Sequence, residues 1–170
     1  MTRDLQIQNT LNTGRLNLEI INPDDYEFMQ LLVNSKGWLE NIGDRNVHSK
    51  NDAIAYIDKI MRTENLFYWI VRIKEENTPI GIISFIKRSY LEHFDIGFAL
   101  LPGFHNNGYA YEAAKAVLTM VSGLAGFTTI LATTISSNTN SMKLLTKLGF
   151  RYEREIDIDN KMLQVYSLSA

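Results

Sequence analysis

The stretch DIGFALLPGFHNNGYA, residues 95–110, joins an apolar strand-like run, a short polar loop and the start of a helical pattern. The first N–H groups of a helix lack partners within the helix and lie at the positive end of its dipole, so such a junction binds anions well. Gly108 would let a phosphate approach closely, and Asn106 and Asn107 tolerate the positive φ that turns successive N–H groups toward one anion. The pattern predicts a phosphate-binding loop over residues 105–110, with an ordinary strand-to-helix turn as the alternative.

Other phosphate-binding motifs are absent from the chain. The sequence contains neither GxxxxGK[ST] nor GxGxxG, and it has no acidic residue about 20 positions after Gly108 to bind a ribose hydroxyl. These absences argue against a binding site for nucleoside triphosphates or dinucleotides.

The patterns on both sides of this stretch predict a mixed α/β domain. Tyr109 begins an amphipathic helix, and Gly149 closes a later one. Earlier in the chain, Asn22-Pro23 and Ser49 have the residue types that begin helices. The predicted strands cover residues 15–21, 68–73, 80–87, 94–101, 129–134, 152–156 and 162–168, and the predicted helices cover 22–33, one stretch from 49, 109 to about 125, and 139–148. The order is β-α-α-β-β-β-α-β-α-β-β, with residues 36–45 as a loop between the first two helices.

Length and composition indicate one globular domain. The chain has 170 residues, of which 45% are hydrophobic and 21% are charged, as is typical of a folded single-domain protein. A net charge of −2 provides no basic field for nucleic acid, and the longest apolar run is far shorter than the roughly 20 residues of a membrane helix. The chain has no cysteine, which excludes disulfides and a thiol nucleophile. We therefore expect a cytoplasmic protein that acts on neither nucleic acid nor membranes.

Two motifs in one order resemble the cofactor-binding half of GNAT acetyltransferases: HNNGYA at residues 105–110 and NTNSMKLLTKLGF at residues 138–150. Four further features resemble the branch that contains ribosomal-protein alanine N-acetyltransferases: TGRLNLE at residues 13–19, the strand with Trp69, Gly81 and Glu112-Ala113. The resemblance implies a twisted, mostly antiparallel sheet of about seven strands, splayed between the fourth and fifth, with four flanking helices. Residues 13–170 would form this domain, and residues 1–12 an N-terminal extension.

The resemblance also implies acetyl-CoA as acyl donor, with no metal. It assigns the cofactor to backbone groups of one strand, to the loop and to the last helix. The implied cofactor-binding residues are Phe98, Ala99, Leu100, His105, Asn106, Asn107, Gly108, Tyr109, Ala110, Asn138 and Ser141. Three histidines without clustering independently argue against a metal site.

The chain departs from the family pattern at two positions. His105 stands where the family usually has Arg or Gln, so anion binding would depend more on backbone groups than on side chains. Leu145 stands where many members have a Tyr that protonates the departing thiolate. Ser141 is the remaining hydroxyl, and the resemblance implies that it stabilises the thiolate; the alternative is an ordinary first-turn helix serine.

The implied reaction is direct attack of a primary amine on the thioester in a ternary complex. An α-amine has a pKa of about 7.7, against about 10.4 for lysine, so a weak base suffices to deprotonate it. We therefore expect a protein or peptide N-terminal α-amine as acceptor, with a small-molecule or antibiotic amine as second choice. The alternatives are a module that binds acyl-CoA without turnover and an unrelated α/β nucleotide binder; the protein would be a monomer or a homodimer.

Asp95, at the start of the splayed strand, is the candidate general base, ahead of Glu92 and His93. Strand alternation places it on the same face as small residues, although an ion pair with Arg88 is an alternative role. By resemblance, the loop at residues 36–45 walls the acceptor site. Trp38 and Arg45 are its candidate substrate-binding residues, with an Asp44–Arg45 surface pair as the alternative.

Overall fold

The computed structural model of the protein describes residues 6–169, which form one eight-stranded sheet covered by helices on both faces. Within this range, no helix has both the length and the apolar character needed to cross a membrane. The elements are β1 (Thr10–Asn12), β2 (Leu16–Ile20), a 3-10 turn (Pro23–Asp25), α1 (Tyr26–Val33), α2 (Lys36–Asn41), α3 (Lys50–Arg62), β3 (Leu66–Ile73), β4 (Thr78–Ile86), β5 (Asp95–Leu100), α4 (Tyr109–Ser122), β6 (Thr129–Thr134), α5 (Thr139–Lys147), β7 (Arg151–Ile158) and β8 (Lys161–Ser169).

The sheet has the strand order β1-β2-β3-β4-β5-β6-β8-β7, and it is antiparallel except where β5 meets β6. These two strands run parallel and share a single residue pair, Asp95 with Leu131, after which they diverge. The fourth and fifth predicted strands correspond to β5 and β6, so the predicted splay of the sheet is confirmed at this position.

The sheet separates two apolar cores. One core lies under α4 and α5, where Ala113, Val117 and Leu145 pack on apolar side chains of β2 to β6. The other lies under α1 and α3, where Met29 and Ile57 pack on the opposite face of β3 and β4. On β5, alternation places Ile96 in the core under α4 and α5 and Ala99 beside the core under α1 and α3, so the two faces of the splay carry different groups.

The predicted capping residue Ser49 caps α3, whereas Asn22 caps the 3-10 turn and α1 begins after it, at Tyr26. The Asn22 side chain accepts a hydrogen bond from the Asp24 N–H at 2.9 Å, and the Ser49 hydroxyl accepts one from the Asp52 N–H at 3.1 Å. In the Ser49 cap, however, the Asp52 carboxylate accepts from the His48 N–H rather than from Ser49 itself.

Two elements differ from the prediction. The sheet begins at β1, inside the stretch 1–12 predicted as an N-terminal extension, because Leu11 is buried and the strand pairs with β2. The predicted loop at residues 36–45 contains the short helix α2. This helix is only six residues long and contains Gly37, so the sequence shows no helical pattern there. Trp38 is 3% exposed, and its burial stabilises the helix.

The backbone at Gly81 leaves no room for a side chain. A Cβ at this position would lie 2.3 Å from Ala99 O and 2.4 Å from Leu100 Cδ2, so β5 would have to move. We expect Gly81→Ala to lower the free energy of unfolding by about 1–3 kcal/mol in urea denaturation. Gly37→Ala is the matched control, since a Cβ there meets nothing within 4 Å. Equal stability of the two variants would contradict the prediction.

Candidate active site

The gap between β5 and β6 is lined by backbone groups that the β4–β5 ladder does not use. The Leu101 N–H donates to Ile80 O at 2.8 Å, which makes these two residues a hydrogen-bonded pair in register with the ladder. Such pairs alternate along an antiparallel ladder, so Ala99 also bonds to β4, whereas the N–H and C=O groups of Phe98 and Leu100 face the gap. Of the three strand residues expected to bind a cofactor through their backbone, Phe98 and Leu100 have groups directed there.

The loop that follows β5 ends in an uncapped helix. Gly108 is the N-cap of α4 with φ of 79° and ψ of 3°, and no side chain caps this end. The helical hydrogen bonds begin with the Glu112 N–H, which donates to Gly108 O at 3.0 Å. The N–H groups of Tyr109 and Ala110 therefore point out of the helix end without helical partners. Asn106 has a φ of 62°, as expected, whereas Asn107 has no positive φ.

His105, the first residue of the predicted loop, turns its ring toward β5. Its Nε2 lies 3.1 Å from Leu100 O, one of the carbonyls that face the gap. Asn107 Nδ2 donates to His105 O at 3.1 Å, so this side chain also bonds within the loop. An anion at the start of α4 would thus meet backbone N–H groups and any cation that another element supplies.

Asn138 and Ser141 lie together at the start of α5. Asn138 is the N-cap, and its Oδ1 accepts a hydrogen bond from the Ser141 N–H at 3.2 Å. Ser141 is half-buried. Leu145, one turn later, is 1% exposed and belongs to the core under α4 and α5.

The starts of α4 and α5 lie at the same end of the splay. The strands β5 and β6 are parallel, and each is followed by one of these helices, so both helix N-termini are near the carboxyl ends of the two strands. A ligand in the gap would have an uncapped helix end on one side and Ser141 on the other.

Residues 15–151, most of the chain, match the family model described as an acetyltransferase (GNAT) domain. The chain belongs to the GNAT acetyltransferase family. The resemblance noted in the sequence is thereby confirmed, and so is the mixed α/β fold with a mostly antiparallel sheet that it implied.

Individual relatives agree with this membership. The uncharacterized N-acetyltransferase YnaD of Bacillus subtilis (strain 168) is 32% identical over 107 residues, which are 63% of this chain and 62% of that relative, less than two thirds of either. A crystal structure of a GNAT-family acetyltransferase from Bacillus anthracis is 25% identical, with a TM-score of 0.79, and covers 94% of this chain and 98% of that one. RimL, the ribosomal L7/L12 α-N-protein acetyltransferase solved with coenzyme A, is 14% identical with a TM-score of 0.81 over 94% of this chain and 97% of RimL, and shares the fold.

In this GNAT domain, Asp95 lies where β5 and β6 part, on the face opposite α4. Its Oδ2 accepts from Arg88 Nε at 2.9 Å and from Thr133 Oγ1 at 3.3 Å, so the ion pair with Arg88 exists. Within residues 6–169, the buried Oδ1 has no hydrogen-bond partner. Asp95 is 2% exposed, and this burial raises the pKa of its carboxyl above the ordinary value although Arg88 opposes the shift. One carboxylate oxygen is thus held, and the other is left to accept a donor.

The two weaker candidate bases lie in other surroundings. Glu92 is exposed, and its carboxylate pairs with Arg154 Nη2 at 2.8 Å, which is a surface ion pair. His93 is exposed next to it.

Trp38 and Arg45, the two candidate acceptor-binding residues, lie together. The Arg45 guanidinium is 5.9 Å from the centre of a Trp38 ring, and the buried Trp38 Nε1 has no partner in the part of the chain that the structure describes. Asp44 accepts from the Asn46 N–H at 2.7 Å, and between residues 6 and 169 no ion pair joins Asp44 to Arg45.

Tyr68 lies on the same face of the sheet, within the electrostatic influence of Arg45 and Arg88, and was not predicted from the sequence. It lies on β3 opposite Ser84 of β4, on the face that carries Asp95. Burial, followed by the neighbouring Tyr56, raises the pKa of its phenol above the ordinary value, while Arg45 and Arg88 act against this shift. The signal in the sequence was the alternate spacing of β3, which places Tyr68 and Ile70 on one face.

Proposed function

We propose that the protein transfers an acetyl group from acetyl-CoA to a primary amine, and that the acceptor is a protein or peptide N-terminal α-amine. The observation that carries this proposal is the gap between β5 and β6, with strand groups along one side that do not pair with β4, and the start of α4 at its mouth. In the proposed complex, Phe98 and Leu100 pair with the pantetheine arm, and the N–H groups after Gly108 bind the diphosphate. Acetyl-CoA supplies the thioester.

The chain's own residues then have defined tasks. The amine nitrogen forms a bond to the thioester carbonyl carbon, the carbon–sulfur bond breaks, the amine loses a proton to Asp95, and the departing thiolate takes up a proton from solvent. In the proposed step the proton of the amine reaches Asp95 through a water, because Asp95 Oδ1, which has no protein partner among the described residues, is buried. Ser141 donates a hydrogen bond to the thiolate. No residue becomes acylated.

An α-amine suits this site better than a lysine side chain. Deprotonation at pH 7 costs about 1 kcal/mol for an α-amine and roughly 4.6 kcal/mol for lysine, from their pKa values of about 7.7 and 10.4. Asp95, the proposed base, is held by the ion pair with Arg88. RimL, an α-N-protein acetyltransferase of the same fold, supports this choice by analogy.

Acceptor screening tests the proposal. The protein would be incubated with acetyl-CoA and peptides with free N-termini, N-blocked lysine peptides and small amines, and products would be identified by mass spectrometry alongside thiol release. We expect acetylation of free peptide N-termini. Acetylation of small amines alone would favour the small-molecule acceptor, and tight binding of acetyl-CoA without thiol release would favour a non-catalytic binding module. Absence of acetyl-CoA binding would refute the proposal.

Ser141 provides a prediction about the leaving group. We expect Ser141→Ala to lower kcat about 10-fold, because one hydrogen bond of about 1.5 kcal/mol to the thiolate is lost. The Kd for coenzyme A from calorimetry should change less than about 2-fold. Thr146→Ala is the control, since the Thr146 hydroxyl bonds to Met142 O inside the same helix. An unchanged kcat for Ser141→Ala would leave Ser141 as an ordinary helix serine.

A further inference from the structure

Arg15 lies far from the loop in sequence and contacts it in the fold. Its carbonyl accepts from the Lys74 N–H at 3.0 Å, which fixes the backbone of Arg15 at the edge of the sheet. From there its Nη1 donates to Asn107 O at 2.9 Å, and its guanidinium stacks 4.5 Å from the centre of the Tyr109 ring. Arg15 therefore connects the sheet to the loop before α4.

Glu112 orients this arginine. Its Oε2 accepts from Arg15 Nε at 2.7 Å, and its Oε1 accepts from the Arg15 N–H at 2.8 Å and the Thr13 hydroxyl at 2.5 Å. Burial opposes ionisation of Glu112, but the hydrogen bonds from Thr13 and Arg15 together lower the pKa of its carboxyl below the ordinary value. The carboxylate is therefore charged at neutral pH and can hold the guanidinium in one orientation.

The remaining guanidinium nitrogen, Nη2, lies beside the uncapped helix end. A Cβ built on Gly108 would be 3.3 Å from it, so Nη2 is next to the N-cap of α4. The Arg15 side chain is 49% exposed, and Arg15, Gly108 and Glu112 line one open groove of about 790 Å³. An anion at the N-cap can therefore reach Nη2, which forms no hydrogen bond within residues 6–169.

We propose that Arg15 supplies the positive charge of the diphosphate site and positions its loop. The side chains of the loop itself provide no such charge, because none of them is an arginine or a lysine. The inference rests on the proposed function, because it assumes a diphosphate at the start of α4. A planar guanidinium suits the role, since it bonds to Glu112 and Asn107 and still presents N–H groups to a third, anionic partner.

A comparison of two acyl donors tests this role. S-acetyl-pantetheine has the thioester and the pantetheine arm but lacks the diphosphate. We expect Arg15→Ala to raise the KM for acetyl-CoA and the Kd for coenzyme A about 10- to 100-fold, the loss of one charge-assisted hydrogen bond. The kcat/KM with S-acetyl-pantetheine should stay within about 2-fold of the wild-type value. Arg62→Ala is the matched control, since it removes the same charge from an exposed ion pair on α3 and should change neither donor's kinetics.

Three outcomes would overturn the proposal. Unchanged affinity for coenzyme A in Arg15→Ala would show that Arg15 does not act on the diphosphate. An equal loss with both donors would assign Arg15 a role in the fold alone. Arg15→Lys, which keeps the charge, serves as the second variant if Arg15→Ala does not fold. Its affinity for coenzyme A should lie between those of the wild type and Arg15→Ala. Wild-type protein that binds no coenzyme A would refute the proposed function itself.

Discussion

Gly108→Arg is expected to abolish coenzyme A binding, with a loss of more than about 100-fold in calorimetry. The N-cap of α4 has a φ of 79°, and a Cβ there would already lie 3.3 Å from Arg15 Nη2, so an arginine side chain would fill the space beside the helix end. It would also place a second cation against Arg15. Both effects act on the anion site directly, whereas the cores under the sheet are not touched.

The control for this substitution is an arginine at another glycine with a positive φ. Gly126 has a φ of 103° and is exposed beyond the other end of α4, so Gly126→Arg introduces the same side chain at a positive φ. A non-glycine residue in this conformation costs about 1–2 kcal/mol at either site. We expect equal melting temperatures for the two variants and loss of binding in Gly108→Arg alone. Retained binding in that variant would remove the diphosphate from this loop.

Asp95→Asn is expected to lower kcat by about 10²- to 10⁴-fold, the range for loss of a general base. The amide keeps the size of the carboxylate and an oxygen for Arg88, but it cannot take a proton from the amine. Because Asp95 lies on the face opposite α4, the Kd for coenzyme A should change less than about 2-fold. A variant with near wild-type kcat would show that Asp95 has only the structural ion pair.

Arg88→Gln separates the two roles of this carboxylate through the pH dependence of kcat. Burial raises the pKa of Asp95 and Arg88 lowers it, so loss of the arginine raises that pKa further. A base must be ionised to act, hence activity falls as pH falls through this pKa. The acid limb of Arg88→Gln should therefore lie at higher pH than that of the wild type, with recovery of kcat at alkaline pH. A loss that is equal at every pH would indicate a purely structural role.

The fold could be predicted because local and global signals agree. The alternation of β3 to β5, the caps at Asn22 and Ser49 and the small residues of α4 each indicate the element that forms. The two elements that escaped prediction, β1 and α2, are three and six residues long. Both depend on burial of one side chain, Leu11 or Trp38, against residues distant in sequence, and no local pattern reports such a contact.

The candidate site could be predicted where its residues are contiguous in the sequence, but not where residues distant in the sequence come together. The loop before α4 and the start of α5 are contiguous motifs, so their residues could be named from the sequence. Arg15 and Glu112 are 97 positions apart and meet through the packing of α4 on β2. The direction of the Phe98, Ala99 and Leu100 backbone groups depends on the register with β4, which pattern alone leaves undetermined.

A crystal structure of the protein with coenzyme A would show directly where the diphosphate and the pantetheine arm bind. It should show diphosphate oxygens within hydrogen-bond distance of the N–H groups that follow Gly108 and of Arg15 Nη2, with the pantetheine arm paired to Phe98 and Leu100 in the gap between β5 and β6. A diphosphate bound at any other position, or a complex in which side chains close that gap, would contradict the proposed coenzyme A site.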